Sequence, residues 1–408
     1  MPAPDATTSD PFALLGDLTH LLLRWSYEGT TEAARIVARV GGRYGVDAQA
    51  TFLADAAFLT VGERTVAFSA PPTVPPLDAV SDLKRLLGEI DAGGLSAGEA
   101  QASVAALATA RPRYSKLWVV VGMAAFSAGF GISIQATWQE VGVSAVLGLF
   151  VGLLYVAAQG RGAWELLAPF IGSVLVTSLV LVAFKRDWLD GGPIELIIPS
   201  LFIFIPGDGL AAAMLELADA RITAGTARLV SSLAALLMLG FGALLATVLV
   251  DVPQSALFDV DVEQNLGPVV VWGGWVLFAV GVLLVFSMAP ADFPWALAFV
   301  LGTAAVATGG TLAFGDDVGT FLGAVAMTVA AALAGRRPNL PPPYVLYLGA
   351  FYVLTPGSHG LRGIESWIGG DEIQGVTGVS DMLALLAAIA LGMLVGSALV
   401  RRPATAGI

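Results

Sequence analysis

The sequence predicts a mainly α-helical polytopic membrane protein with about ten transmembrane helices in two inverted five-helix repeats, preceded by a small soluble α+β domain. Three observations predict it. The 408-residue chain is 56% hydrophobic and only 13% charged, with a mean hydropathy of +0.80, more than a soluble domain can carry on its surface. Apolar runs follow one another from Lys116 almost to the end, whereas the first 115 residues hold none long enough to span a bilayer. Two of the runs are short, and each closes on a proline-glycine pair, Pro206-Gly207 and Pro356-Gly357. The implied units are 1–115, 116–260 and 261–408.

The amino-terminal unit carries 13 Asp and Glu between Asp5 and Glu99 against 7 Lys and Arg between Arg24 and Arg85. Asp10-Pro11 reads as an N-cap with proline at the first helical position, opening a helix through Leu14, Leu15, Leu18, Leu22 and Trp25. Ala33, Ile36, Val37, Val40 and Tyr44 keep the helical period in a second helix that Gly45 ends. From Ala48 to Ser69 the pattern is strand-like, with Gly62-Glu63-Arg64 as a turn. Beyond the Pro71 to Pro76 linker come a helix with Leu83, Leu86, Leu87 and Ile90, and another opened by the capping-box pattern Ser96-Ala97-Gly98-Glu99.

Candidate spans follow at 117–137, 141–158, 166–184, 194–206, 228–250, 268–288, 294–311, 317–335, 343–356 and 379–400. Pairing first with sixth, second with seventh and onward gives start-to-start offsets of 151, 153, 151, 149 and 151. Unrelated segments rarely keep such constancy. Five helices per copy is odd, so the second copy enters the membrane with opposite orientation, about a pseudo-two-fold axis in the membrane plane. With the amino terminus inside, the inside segments carry Arg111, Arg113, Lys116, Arg161, Arg221, Arg228, Arg336, Arg337, Arg401 and Arg402, and the outside ones only Lys185, Arg186 and Arg362. That bias places both termini in the cytoplasm. Asp316-Asp317 reads as the N-cap of the eighth span.

The fourth and ninth spans, at roughly 13 residues, fall short of the ~20 needed to cross hydrocarbon. Proline removes a donor and glycine frees the backbone, so a helix breaks at each pair. A break inside a membrane is tolerated only where protein or a polar cavity receives its backbone groups. The alternative, a helix ending at the membrane surface, is disfavoured by the correspondence between the two copies. The candidate substrate residues are therefore Pro206, Gly207, Asp208 and Gly209 in the first copy, and Pro356, Gly357, Ser358 and His359 in the second. Freed amides at the following helix starts suit the carboxylate of a small substrate.

Charge at membrane depth is costly and usually functional. Asp208, Glu216 and Asp219 fall within roughly an 80° arc if the stretch after Gly207 is helical, opposite His359, Arg362 and Glu365. Asp208, Glu216, His359 and Glu365 are the proton-coupling candidates. A wet interfacial face for Glu216 and Asp219, or an outward loop position for His359, is the bland alternative. Among the mild polar residues within spans, Gln135, Thr177 and Thr328 are the cavity candidates, the rest serving helix packing.

The net charge of -12 argues against nucleic acid. With no cysteine, thiolate metal sites and cysteine nucleophiles are excluded. His20 has no partner at metal spacing, and no phosphate-cradling Gly-x-x-x-x-Gly-Lys occurs, so no metal, cofactor or nucleotide is expected and energy comes from an ion gradient. Met1 to Asp10 lacks the pattern of a cleavable signal peptide.

The chain resembles the threonine/serine exporter family over nearly its whole length. The resemblance is carried by Leu21-Leu22-Leu23 and Gly29-Thr30-Thr31-Glu32; by Ile198-Pro199 to Ile205-Pro206-Gly207 with Glu216 and Gly225-Thr226-Ala227-Arg228; and by Tyr344 to Thr355-Pro356-Gly357 with Gly363 and Gly369-Gly370. It implies a transporter rather than an enzyme, exporting threonine and serine by the proton motive force across the cell membrane of a prokaryote. Its partners are then the substrate, protons and the lipid bilayer, with homo-oligomerisation left open. His359 is not carried over from the family; proton coupling there rests on its chemistry alone. A dicarboxylate exporter, which would want more fixed positive charge than Arg362, and a membrane-anchored enzyme or sensor are the alternatives.

Overall fold

The computed structural model describes residues 10–25, 29–71, 73–135, 137–189, 192–218, 220–257, 266–354, 361, 363–364, 366–367 and 372–400. Asp10 accepts the Phe12 amide at 3.0 Å, and α1 (Pro11–Trp25) then buries Leu14, Leu15, Leu18 and Leu22 on one stripe. In α2 (Thr30–Arg43), Ile36, Val37 and Val40 face the same core. Strands β1 (Ala48–Phe52), β2 (Ala56–Val61) and β3 (Arg64–Ser69) form an antiparallel sheet in that order. Val61 pairs with Arg64, so the β2–β3 turn is Gly62-Glu63 alone and Arg64 already belongs to β3. Gly62 supplies the positive φ that so short a hairpin needs, at +58°. Helices α3 (Leu77–Ala92) and α4 (Ala97–Ala108) complete the unit, and the capping box between Ser96 and Glu99 is formed.

Beyond Ser115 come α5 (Lys116–Gly131), α6 (Trp138–Ala158), α7 (Ala163–Lys185), α8 (Pro193–Leu201), α9 (Gly207–Ala218) and α10 (Ile222–Val250). After them stand α11 (Pro268–Val285), α12 (Phe293–Phe314), α13 (Asp316–Gly335), α14 (Pro343–Val353) and α15 (Glu372–Val400). Among the described residues, seven helices are long and apolar enough to cross a membrane, with three shorter apolar ones, Lys116–Gly131, Pro193–Phe204 and Pro343–Val353. Trp118, Trp138, Trp164, Trp188 and Trp295 are exposed near helix ends, the place where amphipathic rings meet a headgroup layer. The chain is a multi-pass membrane protein.

Several local expectations are corrected. Helices α10 and α15 begin at Ile222 and Glu372, several residues before the apolar runs do, because helical hydrogen bonding continues through polar turns. Arg228 therefore lies inside α10 rather than in a connection. The N-cap of α13 is Gly315, φ +93°, and no side chain caps it. Asp316 and Asp317 instead occupy the first turn, where their charge complements the helix dipole.

Glycines set the helix spacing. A Cβ on Gly129 of α5 would collide with the Phe278 backbone of α11, and one on Gly281 of α11 with the Phe126 backbone of α5. In the same way Gly122 abuts Leu284 while Gly274 abuts Ile132. Each exchanges a residue for the one 152 positions away: 122 with 274, 126 with 278, 129 with 281, 132 with 284. A second correspondence joins two other helix pairs. Gly242 of α10 lies on Ser173 and the Phe170 carbonyl of α7, and Gly392 of α15 on Ala324 and the Phe321 carbonyl of α13.

Helix α3 docks the amino-terminal unit onto the membrane helices. First-turn amides of a helix have no partner within it, and here Leu77 and Asp78 donate theirs to the carbonyls of Phe286 and Ser287 at 2.8 and 3.1 Å. Ser81 Oγ donates to Asp292 Oδ2 at 2.7 Å, Tyr114 Oη to the Met288 carbonyl at 3.2 Å, and Lys84 Nζ to the Leu340 carbonyl at 2.7 Å. Leu77 and Val80 join the apolar core of the membrane helices.

Candidate functional site

The first break is present and has a defined shape. Helix α8 stops at Leu201, a single 3-10 turn covers Phe202–Phe204, Ile205 is extended, and α9 starts at Gly207. Pro206 and Gly207 thus open the second helix rather than close the first. Pro206 supplies a carbonyl to the Leu210 amide at 3.0 Å while lacking an amide of its own. Gly209 faces α10, where a Cβ would stand 2.6 Å from Ser232 Oγ. Asp208 belongs to α9, its side chain being outside the described residues; Asp219, Pro356, Gly357, Ser358, His359, Arg362 and Glu365 also lie outside them.

The residues leading to each Pro-Gly pair are nonetheless described, and the two segments meet. Phe202 is four residues before Pro206, and Tyr352 four before Pro356. Their ring centroids are 5.5 Å apart. Phe126 and Phe278 pack beside them at 4.6 Å from one another, with Phe126 5.6 Å from both Phe202 and Tyr352, and Phe278 6.3 and 6.2 Å from the same two. Four rings, from α5, α11, α14 and the 3-10 turn after α8, pack together there.

Gln135 sits in the turn after α5, fully buried, because α5 ends four residues before it. Its Nε2 donates to Ser144 Oγ of α6 and to the Glu195 carbonyl of α8, the latter at 2.9 Å. Its Oε1 has no hydrogen-bond partner among the described residues, which leaves one acceptor of a buried amide available. Buried carboxylates stand in the first turns on either side: Glu140, which closes a capping box with Thr137 in α6, and Glu195 in α8. Sequence reasoning missed both as site residues. The signal for Glu195 was its place as a carboxylate in a short apolar run.

Thr177 in α7 is fully buried, and its Oγ1 has no partner among the described residues; the same is true of Thr328 Oγ1 in α13. The two threonines are 151 positions apart. Glu216, by contrast, is not at the break. It lies nine residues along α9 from Gly207, about 14 Å of helix, and its carboxylate accepts the Thr30 amide at 2.9 Å and the Thr30 hydroxyl at 2.8 Å. Arg221 Nε donates to Thr31 Oγ1 at 3.1 Å. The helix after the break is therefore fastened at its far end to the first turn of α2. Among the described residues, no group of three or more His, Cys, Asp and Glu could hold a metal ion.

Apolar helices with exposed tryptophans at their ends, one of them interrupted beside a ring cluster, define a polytopic membrane protein, and the backbone groups at the interruption are bonded within it, Gly207 to the Ile205 carbonyl and Leu210 to that of Pro206. A family model described as "Putative threonine/serine exporter" matches residues 22–250, more than half the chain, from within α1 to the end of α10. The chain belongs to this threonine/serine exporter family. No curated protein and no solved structure matches it.

Proposed function

We propose that the protein is a secondary active exporter of threonine and serine, driven by the proton motive force, with substrate held between the two helix breaks. The contact between Phe202 and Tyr352 carries this reading, since it brings the approaches to both Pro-Gly pairs to one place. Reciprocal packing across α5 and α11 supports the arrangement as an inverted repeat: a two-fold relation requires that if residue i touches j, the mate of j touches the mate of i. The exchanges 126/278, 129/281, 122/274 and 132/284 obey that rule. This reading takes ten spans in two inverted sets of five, with α8 and α9 together making the fourth. Both termini and the amino-terminal unit are then cytoplasmic, in the cell membrane of a prokaryote.

Of the proton-coupling candidates, Glu216 is assigned to fastening α9, because both its oxygens are used by Thr30. Asp208, His359 and Glu365 keep the proton role. Labelled threonine offered to inverted vesicles, with and without an imposed pH gradient, tests the reading. Uptake that rises with the gradient is expected; flux indifferent to it removes proton coupling, and no threonine flux removes the exporter.

A further inference from the structure

Between α2 and α3 of the amino-terminal unit and the ends of α13, α14 and α15 lies a cavity of about 1170 Å³. Its outer wall is charged and mixed in sign. Arg35 bonds Glu32 at 2.7 Å, but Arg39 Nε stands 3.7 Å from Asp91 Oδ2, beyond hydrogen-bond distance, so both groups of the second pair keep bonding capacity. Its inner wall reaches into the membrane helices. Thr328 is seven residues before the end of α13, about 10 Å of helix, and it lines the cavity with Tyr347 and Ser397. The Thr328 hydroxyl is buried without a partner among the described residues, a state that costs free energy unless a ligand or water answers it.

Thr177, at the corresponding place in the first half, is sealed, with no exposure at all. Of two threonines 151 positions apart, one thus lines a cavity while the other is enclosed. That asymmetry is what a carrier open to one side of the membrane presents.

We propose that this cavity is the cytoplasmic vestibule in which a zwitterionic α-amino acid first binds, its carboxylate on Arg39 and its ammonium on Asp91. The amino-terminal unit is then part of the substrate path, and Thr328 is the polar contact on the way inward. A zwitterion carries both charges that the open Arg39–Asp91 pair can accept, whereas an anionic headgroup leaves Asp91 unanswered and finds the other basic residues of the lining engaged, Arg35 by Glu32, Arg85 by Asp82, Lys84 by the Leu340 carbonyl and Arg336 by the Val400 carbonyl. Exposed ion pairs are worth little, so the site is weak and exchanges quickly, as an entry site must. The inference rests on the export reading.

The unaltered chain has no cysteine, so Thr328→Cys introduces a single thiol. In inverted vesicles a charged, membrane-impermeant thiol reagent is expected to label it, threonine to slow the labelling at least about threefold, and labelling to abolish threonine flux. Ala106→Cys, exposed on α4, is expected to label without loss of flux. Arg39→Gln is expected to raise KM for threonine about fivefold and to leave kcat within about twofold. Should Thr328→Cys fail to fold, Ala332→Cys on the same wall replaces it. Labelling that threonine does not slow, an unchanged KM in Arg39→Gln, or protection by anionic phospholipid in place of threonine overturns the vestibule. Absence of threonine flux in vesicles of the unaltered chain overturns the export reading instead, and labelling with its protection is read independently of flux.

Discussion

Phe202 and Tyr352 face each other with ring centroids 5.5 Å apart and planes inclined at 60°, each the fourth residue before a Pro-Gly pair. The contact couples the 3-10 turn after α8 to the end of α14, so it resists their separation. Edge-inclined aromatic pairs add about 0.5–1.5 kcal/mol beyond their area burial. A double-mutant cycle with Phe202→Leu and Tyr352→Leu, read by thermal unfolding in detergent, is expected to give a coupling of that size. Additivity of the two single changes would show that the rings are neighbours without mutual energy.

Reciprocal glycines make a second prediction. Gly129→Ala and Gly281→Ala each drive a methyl group into the facing backbone, which cannot rotate away as a side chain would. Both are expected to destabilise by about 1–3 kcal/mol, and by similar amounts. Gly142→Ala in α6 and Gly302→Ala in α12 meet nothing within 4 Å and are expected to be neutral or slightly stabilising. Retention of the folded peak in size-exclusion chromatography after a heat step separates the two groups; equal losses at all four positions would contradict the close approach.

What was legible beforehand was local. An interruption near Pro206, the Asp10 N-cap and the Ser96 to Glu99 capping box are readable because turn and cap chemistry depends on a few adjacent residues, although α8 already stops at Leu201 and the Pro-Gly pair opens α9. Helix starts were less so. Arg228 reads as a boundary by charge, yet α10 begins at Ile222, since backbone hydrogen bonds are indifferent to a side chain that can reach polar surroundings. The seat of α3 on the Phe286 and Ser287 carbonyls had no sequence signal, because a contact 209 residues apart, as between Leu77 and Phe286, leaves no period in the chain. Glu216 shows the same limit. Its spacing from Asp208 and Asp219 predicts a shared carboxylate face, whereas its partner Thr30 is 186 residues away.

That partnership predicts how the amino-terminal unit is held. Removing one member of a buried, charge-assisted hydrogen bond leaves the other unsatisfied, at about 1.5–3 kcal/mol. Glu216→Ala and Thr30→Val are expected to lower stability by such amounts, whereas Thr30→Ser, which keeps both donors, is expected to stay within about 0.5 kcal/mol of the unaltered protein. Thermal unfolding of the three variants decides it. A Thr30→Ser variant as damaged as Thr30→Val would mean that packing of the methyl group, not the hydrogen bonds, fastens α9 to α2.

Asp78 gives the docking surface a pH dependence. Burial at the first turn of α3 holds its carboxyl above the usual carboxylate range, with the Ala79 amide and the Arg113 guanidinium pulling it partly back. The folded state therefore binds this proton more tightly than the unfolded chain does. The stability it contributes is complete below the unfolded value near 3.8 and is lost as pH rises through the folded value. Asp78→Asn, neutral at every pH, lacks that loss. The Asn variant is expected to be the more stable protein at pH 7, by less than the ~1.4 kcal/mol that one pKa unit represents, because solvent screens the half-buried group. Its advantage should shrink as the pH is lowered toward 4. Thermal unfolding of both proteins between about pH 4 and 8 measures the difference directly. Parallel curves would mean that Arg113, 3.7 Å from Asp78, compensates the desolvation in full.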